Sequence, residues 1–180
     1  MRLILEPERP SDHAAVRAVV RAAFAHHESV ADVVDLIRAS PQFVPELALV
    51  ARIHRQVAGF VMLSQAEVVD DSGDRHVVLT LSPLAVAPAL QGRGIGSALV
   101  PAVLRAAAGR PEPLVVLEGS PRYYPRFGFR DCREFGISIA LPDWAPPAAG
   151  MVFPLPAYDA RVRGRLVYPP AFEVTGSGQS

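Results

Sequence analysis

Residues 84–100 read LAVAPALQGRGIGSALV and join an apolar strand, a proline turn, three alternate glycines and a helical pattern that begins at Ile95. The first turn of a helix leaves amide hydrogens without intrahelical partners, and the helix dipole adds positive charge there. Glycines ahead of such a helix let a charged group approach the backbone. The stretch therefore predicts a site for an anion, most naturally a phosphate.

Two common phosphate-binding motifs do not fit this stretch. A dinucleotide-binding loop has the spacing G-x-G-x-x-G, whereas Gly92, Gly94 and Gly96 give G-x-G-x-G. A P-loop has a lysine after its last glycine, and here Ser97 stands at that position. The alternative without a ligand is a helix entry whose glycines serve only close packing.

The length and charge of the chain limit the classes of function. At 180 residues, one ordinary domain with a buried core is expected, over 1–176, followed by a disordered tail over 177–180. Eighteen basic and 18 acidic residues cancel and are interspersed, and every basic residue is arginine. This balance argues against a broad nucleic-acid or anionic-membrane surface, so any anion site must be local.

Cysteine content and hydropathy indicate the compartment. Cys132 is the single cysteine, so no internal disulfide forms and a reducing cytoplasm is expected. The N-terminal sequence MRLILE has too short an apolar stretch for a signal peptide, and no run approaches the roughly 20 apolar residues of a membrane span. We therefore expect a cytoplasmic protein without a membrane partner.

Hydrophobic periodicity predicts an α/β fold with a mixed sheet and helices on both of its faces. Helices are predicted to begin at a cap formed by Ser11 or Asp12, near Ser29 with Asp32 as its capping-box partner, and near Arg93. A short helical turn covers 122–127, and the proline-rich tail from Pro142 is mostly loop. The predicted strands are 2–6, 47–53, 57–66, 76–87, 113–118, 135–141 and 163–168.

Two prolines lie inside predicted elements. Pro83 cannot donate to a strand ladder, so it predicts a bulge or a point where pairing stops. Pro101 removes a hydrogen bond from the helix that starts near Arg93 and predicts a kink. The strand over 113–118 is fully apolar, which suits a parallel position after the helical crossover.

A second motif lies downstream in the segment RYYPRFGF. Its residues Tyr123, Tyr124, Gly128 and Phe129 match the pattern F/Y-Y-x-x-x-G-F, while Gln91, Gly94 and Gly96 match Q/R-x-x-G-x-G/A. The two motifs in this order resemble the GNAT superfamily of N-acetyltransferases. Together with the segments SPLAV (82–86) and YPPAF (168–172), they are similar to its YhbS-like branch.

The resemblance implies a GNAT fold, with a mostly antiparallel sheet and a splayed central strand pair, that uses acetyl-CoA as cosubstrate. Acetyl would pass to a primary amine by direct transfer in a ternary complex. The splayed strand would hold the pantetheine arm, with the Val86 amide as oxyanion donor, and the loop would hold the pyrophosphate. The implied cofactor-binding residues are Leu84, Ala85, Val86, Gln91, Gly92, Arg93, Gly94, Ile95, Gly96 and Ser97. A solvated loop arginine is the equal alternative for Arg93.

The resemblance also implies catalytic residues. Tyr124 corresponds to the family's general acid, and a phenol of pKa ~10 that protonates a thiolate of pKa ~8.5 works uphill by ~2 kcal/mol. Many relatives carry a glutamate as base on the fourth strand, where this chain has Thr80 and Ser82. Glu118, at the end of a predicted strand, is the candidate base, and a solvent-facing carboxylate is its alternative. Further candidates are His26, His27 and His76.

Several alternatives stay open at this level. We predict that the protein is an enzyme, and the alternative hypothesis is a non-catalytic acyl-CoA binding or sensing module with the same fold. The acceptor, a small-molecule or peptide amine, is not identified, because no acidic cluster indicates a polyamine and no basic cluster indicates a phosphorylated amine. A free small-molecule amine, an antibiotic and a protein N-terminus all remain open. The sequence predicts no metal site and no nucleic-acid partner, and it contains no G-x-S-x-G elbow. A homodimer follows from the resemblance alone.

Overall fold

The secondary structure follows the apolar periodicity of the sequence closely. A computed structural model describes residues 2–176; the predicted tail over 177–180 lies outside the described residues. The helices are α1 His13–Ala23, α2 Ser29–Arg38, α3 Ile95–Ala107 and α4 Glu173–Gly176. The strands are β1 Leu3–Pro7, β2 Phe43–Ile53, β3 Gln56–Val69, β4 Arg75–Val86, β5 Leu114–Glu118, β6 Arg130–Asp131, β7 Ile137–Ser138, β8 Gly150–Pro154 and β9 Gly164–Val167.

These elements divide into two compact units. The first unit contains the described residues up to Ser64, Ser82–Ala107 and those from Pro170 onward. The second contains Gln65–Leu81 and Ala108–Pro169. Strands β3 and β4 run through both units. The single domain over 1–176 stays a prediction.

The first unit is built on β1, β2 and the first part of β3, which pair antiparallel in that order. Its core lies between these strands and the apolar faces of α1 and α2, whose spacing the sequence predicts. Fully or almost fully buried members of this core include Val16, Val20, Ile37, Phe60 and Met62. Helix α3 contains Pro101, and the kink there stays a prediction.

The second unit orders its strands as β4, β5, β8 and β6, and β9 pairs with both β3 and β7. Strand β5 runs parallel to β4 at Leu79↔Val115 and Thr80↔Val116, and antiparallel to β8 over its whole length. The turn between β3 and β4 is closed by the Asp70 amide, which donates to the Asp74 carbonyl at 3.0 Å. The predicted α/β fold with a mixed, mostly antiparallel sheet is confirmed.

The strand prediction over 135–141 is wrong in extent. Phe135 ends a 3₁₀ turn, Cys132–Phe135, and Gly136 then adopts a left-handed φ of 66°, so extended structure is limited to β7. The prediction that the tail is mostly loop also misses β8. Because prolines surround β8, the apolar run Met151–Phe153, which pairs with β5, was not recognised as a strand.

The cap predicted for α1 has a different partner. Asp12 precedes α1, yet its carboxylate accepts a hydrogen bond from the Arg9 amide at 3.0 Å instead of capping the helix. The same carboxylate forms an ion pair with Arg52 at 2.6 Å. Because Asp12 is buried, this pairing satisfies a charge that the helix does not use.

The capping box predicted for α2 is also wrong. Ser29 is the first residue of the helix, Glu28 occupies the cap position, and no side chain caps it. The Asp32 carboxylate instead pairs with Arg17 of α1 at 2.6 Å. The acidic residue in this first turn therefore joins two helices, where the sequence predicts a local contact.

Candidate active site

The predicted coenzyme-binding segment is the loop between β4 and α3, within the first unit. Gly92 and Gly94 adopt left-handed φ values of 72° and 81°, which residues with a Cβ rarely adopt. The first helical hydrogen bond of α3 runs from the Ala98 amide to the Gly94 carbonyl at 3.0 Å. The amides of 94–97 therefore precede the helical ladder and are available to an external acceptor.

The loop is fixed to the strand by Gln91. Its side-chain amide donates to the Val86 carbonyl at 3.1 Å, across the 3₁₀ turn Pro88–Leu90. The Ala87 amide donates to the Ala58 carbonyl of β3 at 2.9 Å, which holds the end of β4 in place. The predicted cofactor-binding residues, which lie between Leu84 and Ser97, are thus held in one segment that runs from the end of β4 through the loop to the start of α3.

Gly59 of β3 packs under this loop and was not predicted from the sequence. A Cβ on Gly59 would lie 2.9 Å from Ile95 Cγ2 and 3.1 Å from the Ala85 carbonyl oxygen. The first distance is shorter than Cβ contacts in proteins and the second is tight, so the absent side chain allows the start of α3 and the end of β4 to approach β3 closely. The signal in the sequence is a glycine inside an otherwise apolar strand.

Gly59→Val is expected to lower the free energy of unfolding by about 2–3 kcal/mol, because overpacking displaces Ile95 and the Ala85 backbone. The melting temperature should fall by several degrees. Gly109→Val is the matched control, since nothing lies within 4 Å of a Cβ at Gly109. Equal melting temperatures for the two variants would contradict this packing role.

The predicted catalytic residues Glu118 and Tyr124 lie at and just after the end of β5, within the second unit. Glu118 is the last residue of β5 and lies opposite Gly150 of β8. Glu118 as a residue is exposed. Partial desolvation raises the pKa of its carboxyl group above the ordinary value, and a hydrogen bond donated by the Tyr168 hydroxyl lowers it in part. A carboxyl group with a raised pKa is a stronger base than an ordinary carboxylate.

Tyr124 begins a 3₁₀ turn, Tyr124–Phe127, just after β5. Its ring packs edge-on against Tyr123, with centroids 5.0 Å apart, and against Phe129 at 5.7 Å. A Cβ on Gly119 would lie 2.4 Å from Tyr124 Cε2, so only glycine leaves space for this ring. Burial, and then the neighbouring Tyr123, raise the pKa of Tyr124 to about 12.

The turn that carries Tyr124 is held from its outer side by Arg126. The Arg126 guanidinium lies 4.7 Å from the centroid of the Tyr123 ring and donates to the Tyr123 carbonyl at 2.9 Å. Gly128 then ends the turn with a left-handed φ of 99°. The motif residues Tyr123, Tyr124, Gly128 and Phe129 therefore form one packed unit of structure, which restricts the orientation of the phenol.

The other predicted candidates have varied surroundings. His76 Nε2 lies 3.3 Å from Asp70 Oδ2, beside the 70–74 turn. His26 and His27 are exposed at the end of α1, and Arg93 is exposed in the loop. Within residues 2–176, no three His, Cys, Asp or Glu side chains gather as a metal site requires. None of the helices in that range is long and apolar enough to cross a membrane.

Comparisons with known proteins agree with this architecture. Residues 45–131 match the acetyltransferase (GNAT) domain model. The chain is 30% identical over 122 residues to YjhQ of Escherichia coli K12, an uncharacterized N-acetyltransferase; the alignment covers 68% of this chain and 66% of YjhQ, just under two thirds of that protein.

Two solved structures with similar folds contain the coenzyme. YhbS of E. coli in complex with CoA superposes with a TM-score of 0.83 and 27% identity, covering 96% of this chain and 93% of YhbS. A GNAT acetyltransferase of Brucella melitensis in complex with acetyl-CoA has a TM-score of 0.76 and 28% identity, covering 95% and 98%. The chain belongs to the GNAT family of acetyltransferases.

Proposed function

We propose that this protein is an acetyl-CoA-dependent N-acyltransferase that passes acetyl to a primary amine by direct attack. The proposal is carried by the loop geometry, because two left-handed glycines and the free amides of 94–97 suit a diphosphate group. The complexes of YhbS with CoA and of the Brucella enzyme with acetyl-CoA support the assignment. Leu84, Ala85 and Val86 would hold the pantetheine arm.

In the proposed reaction, the neutral amine nitrogen attacks the thioester carbonyl carbon and the C–S bond breaks after an oxyanion forms. The Val86 amide would donate to that oxyanion. Glu118, as the carboxylate, would accept the proton that the amine loses, directly or through water. Tyr124 would give its proton to the departing CoA thiolate. Both groups then exchange protons with solvent and return to their starting states.

Gly94→Ala tests the role of the loop in acetyl-CoA binding, and the measurement needs no acceptor amine. The change forces a side chain to a φ of 81° in open space, so the loop is expected to relax and acetyl-CoA to bind at least tenfold more weakly, as measured by calorimetry. Gly73→Ala is the matched control, since Gly73 has a φ of 90° and is equally open. Equal acetyl-CoA affinities in the two variants would contradict the loop assignment.

Turnover requires a second measurement. Acetyl-CoA is expected to raise the melting temperature of the full chain. A thiol-release assay over a panel of small amines and peptide N-termini is then expected to find an acceptor. Thermal stabilisation without turnover on any amine would favour a binding or sensing module over an enzyme, and no effect of acetyl-CoA would overturn both.

A further inference from the structure

A second polar cleft of about 640 Å³ lies entirely within the second unit, among residues not assigned to acyl transfer. It is bordered by β7, β9 and the end of β3. We call it the arginine cleft. The polar side chains that line it are Asp70, Asp71, Ser138, Arg161, Arg163 and Arg165. Three of its arginines fall within five residues, a basic cluster that the sequence interpretation did not recognise.

In the arginine cleft, backbone segments approach one another closely at two glycines, Gly136 and Gly164. Gly164 has a φ of 135°, and a Cβ there would lie 2.1 Å from the Val69 carbonyl oxygen, so β9 meets the end of β3 only with glycine at this position. The Gly164 amide donates to the Gly136 carbonyl at 3.0 Å. Ser138 and Val69 are both in register with Arg165. The cleft is therefore part of the folded sheet.

Among the described residues, two of the three guanidinium groups have no carboxylate counter-ion. Arg161 pairs with Asp159 at 2.6 Å, which offsets its charge. Arg163 and Arg165 form no ion pair with a carboxylate in the described part of the chain. They flank Gly164, and both line the cleft. Gly136 lets the Arg163 guanidinium lie against its backbone, since a Cβ there would be 2.7 Å from Arg163 Nε.

The acidic residues of the cleft do not neutralise this pair. Asp70 is committed to its own turn, where it accepts from the Ser72 amide at 2.9 Å, from the Ser72 hydroxyl at 2.7 Å and from the Asp74 amide at 3.0 Å. Asp71 is exposed on the same turn. Its carboxylate repels a ligand that is anionic throughout, so the neutral or cationic part of a ligand belongs at that end.

We propose that the arginine cleft binds a small molecule with a phosphate group, held between the guanidinium groups of Arg163 and Arg165. Guanidinium groups donate paired hydrogen bonds to phosphate oxygens, and two of them can contact different oxygens of one tetrahedral group. The Ser138 hydroxyl, in register with Arg165, supplies a further donor. This binding function is independent of the acyl-transfer proposal.

The test is site-resolved protection by inorganic phosphate of the full chain with saturating CoA present. Phenylglyoxal labels accessible arginines, and mass spectrometry of peptides reports each position. Phosphate is expected to slow labelling of Arg163 and Arg165 at least fivefold, and to leave the exposed Arg55 and Arg105 unchanged. Protection of Arg93 by phosphate would instead show that phosphate binds the loop before α3, which saturating CoA should already occupy. A failure of the acyl-transfer proposal would therefore appear at the Arg93 peptide, and a failure of the present proposal at the peptides of Arg163 and Arg165.

Two variants complete the test. The double variant Arg163→Gln/Arg165→Gln is expected to lose at least tenfold in phosphate affinity by calorimetry, while Arg55→Gln/Arg105→Gln should bind phosphate like the original protein. Equal losses in both variants, or no protection of Arg163 and Arg165, would overturn the proposal. Acetate at the same concentration is expected to protect neither arginine; equal protection by acetate would overturn the phosphate assignment.

Discussion

Tyr124→Phe is expected to lower kcat for acetyl transfer about 100-fold while acetyl-CoA affinity stays within twofold. The substitution removes one hydroxyl and keeps the ring that packs on Phe129, at 5.7 Å between centroids. Loss of a general acid typically costs a factor of about 10²–10⁴. We expect the lower end of this range, because the structure makes Tyr124 a weaker acid than the sequence suggested.

The proton transfer from Tyr124 can be followed through the pKa values. Burial and Tyr123 raise the pKa of Tyr124 to about 12, against about 8.5 for a thiol such as that of CoA. The transfer is then uphill by roughly 3.5 pKa units, or about 5 kcal/mol, compared with ~2 kcal/mol for an unperturbed phenol. A proton shared during C–S cleavage costs less than complete transfer, so the transfer should be coupled to bond breaking and give a solvent isotope effect on kcat.

Tyr123→Phe is the matched control for this prediction. Tyr123 is the neighbouring, half-buried tyrosine, and its ring lies edge-on to Tyr124. Its hydroxyl has no proposed part in the reaction, so kcat should stay within about twofold. The acceptor found in the amine panel serves for both variants, and thiol release measures turnover. Equal effects of the two substitutions, or an isotope effect that survives in Tyr124→Phe, would exclude Tyr124 as the acid.

Local sequence patterns were sufficient where the relevant contacts are local. The loop before α3 depends on glycines at 92 and 94, whose left-handed φ values need no tertiary partner. The 3₁₀ turn at Tyr124 likewise follows from Pro125 at its second position and Gly128 after its end. Both motifs could therefore be recognised from their resemblance to the family's patterns, and most strands and helices from periodicity.

Features that depend on distant contacts were missed. Gly59 matters because Ile95, far along the chain, approaches it, and no local pattern reveals that approach. Tyr168 is 50 residues from Glu118 in the sequence, yet its hydroxyl reaches that carboxylate. Long-range pairing of this kind also engages the acidic residues at the starts of α1 and α2, where Asp12 pairs with Arg52 and Asp32 with Arg17.

Glu118→Gln is expected to reduce kcat at least 100-fold at neutral pH, since the amide cannot accept a proton from the amine. The substitution keeps an oxygen acceptor for the Tyr168 hydroxyl and nearly the same volume, so the strand end should stay folded. Glu134→Gln is the matched control, because Glu134 is an exposed glutamate of the same unit, with a weak contact to Arg130 at 3.7 Å. Its kcat should stay within twofold.

The pH profile gives an independent test with a defined sign. Glu118 acts as base only when ionised, so kcat at saturating acceptor should rise with pH through the pKa of Glu118, which partial desolvation places above its ordinary value. This ascending limb should be absent in Glu118→Gln. No descending limb from Tyr124 is expected below its pKa of about 12.

Stability should change in the opposite direction to activity. The pKa of Glu118 is raised by folding, so the folded state is favoured in full below the ordinary carboxyl pKa and loses that advantage as pH rises through the folded value. At pH 7 Glu118 is therefore ionised at some cost to stability, and Glu118→Gln should raise the melting temperature while it lowers kcat. A lower melting temperature at pH 7 with kcat retained would assign Glu118 a structural role in place of the base.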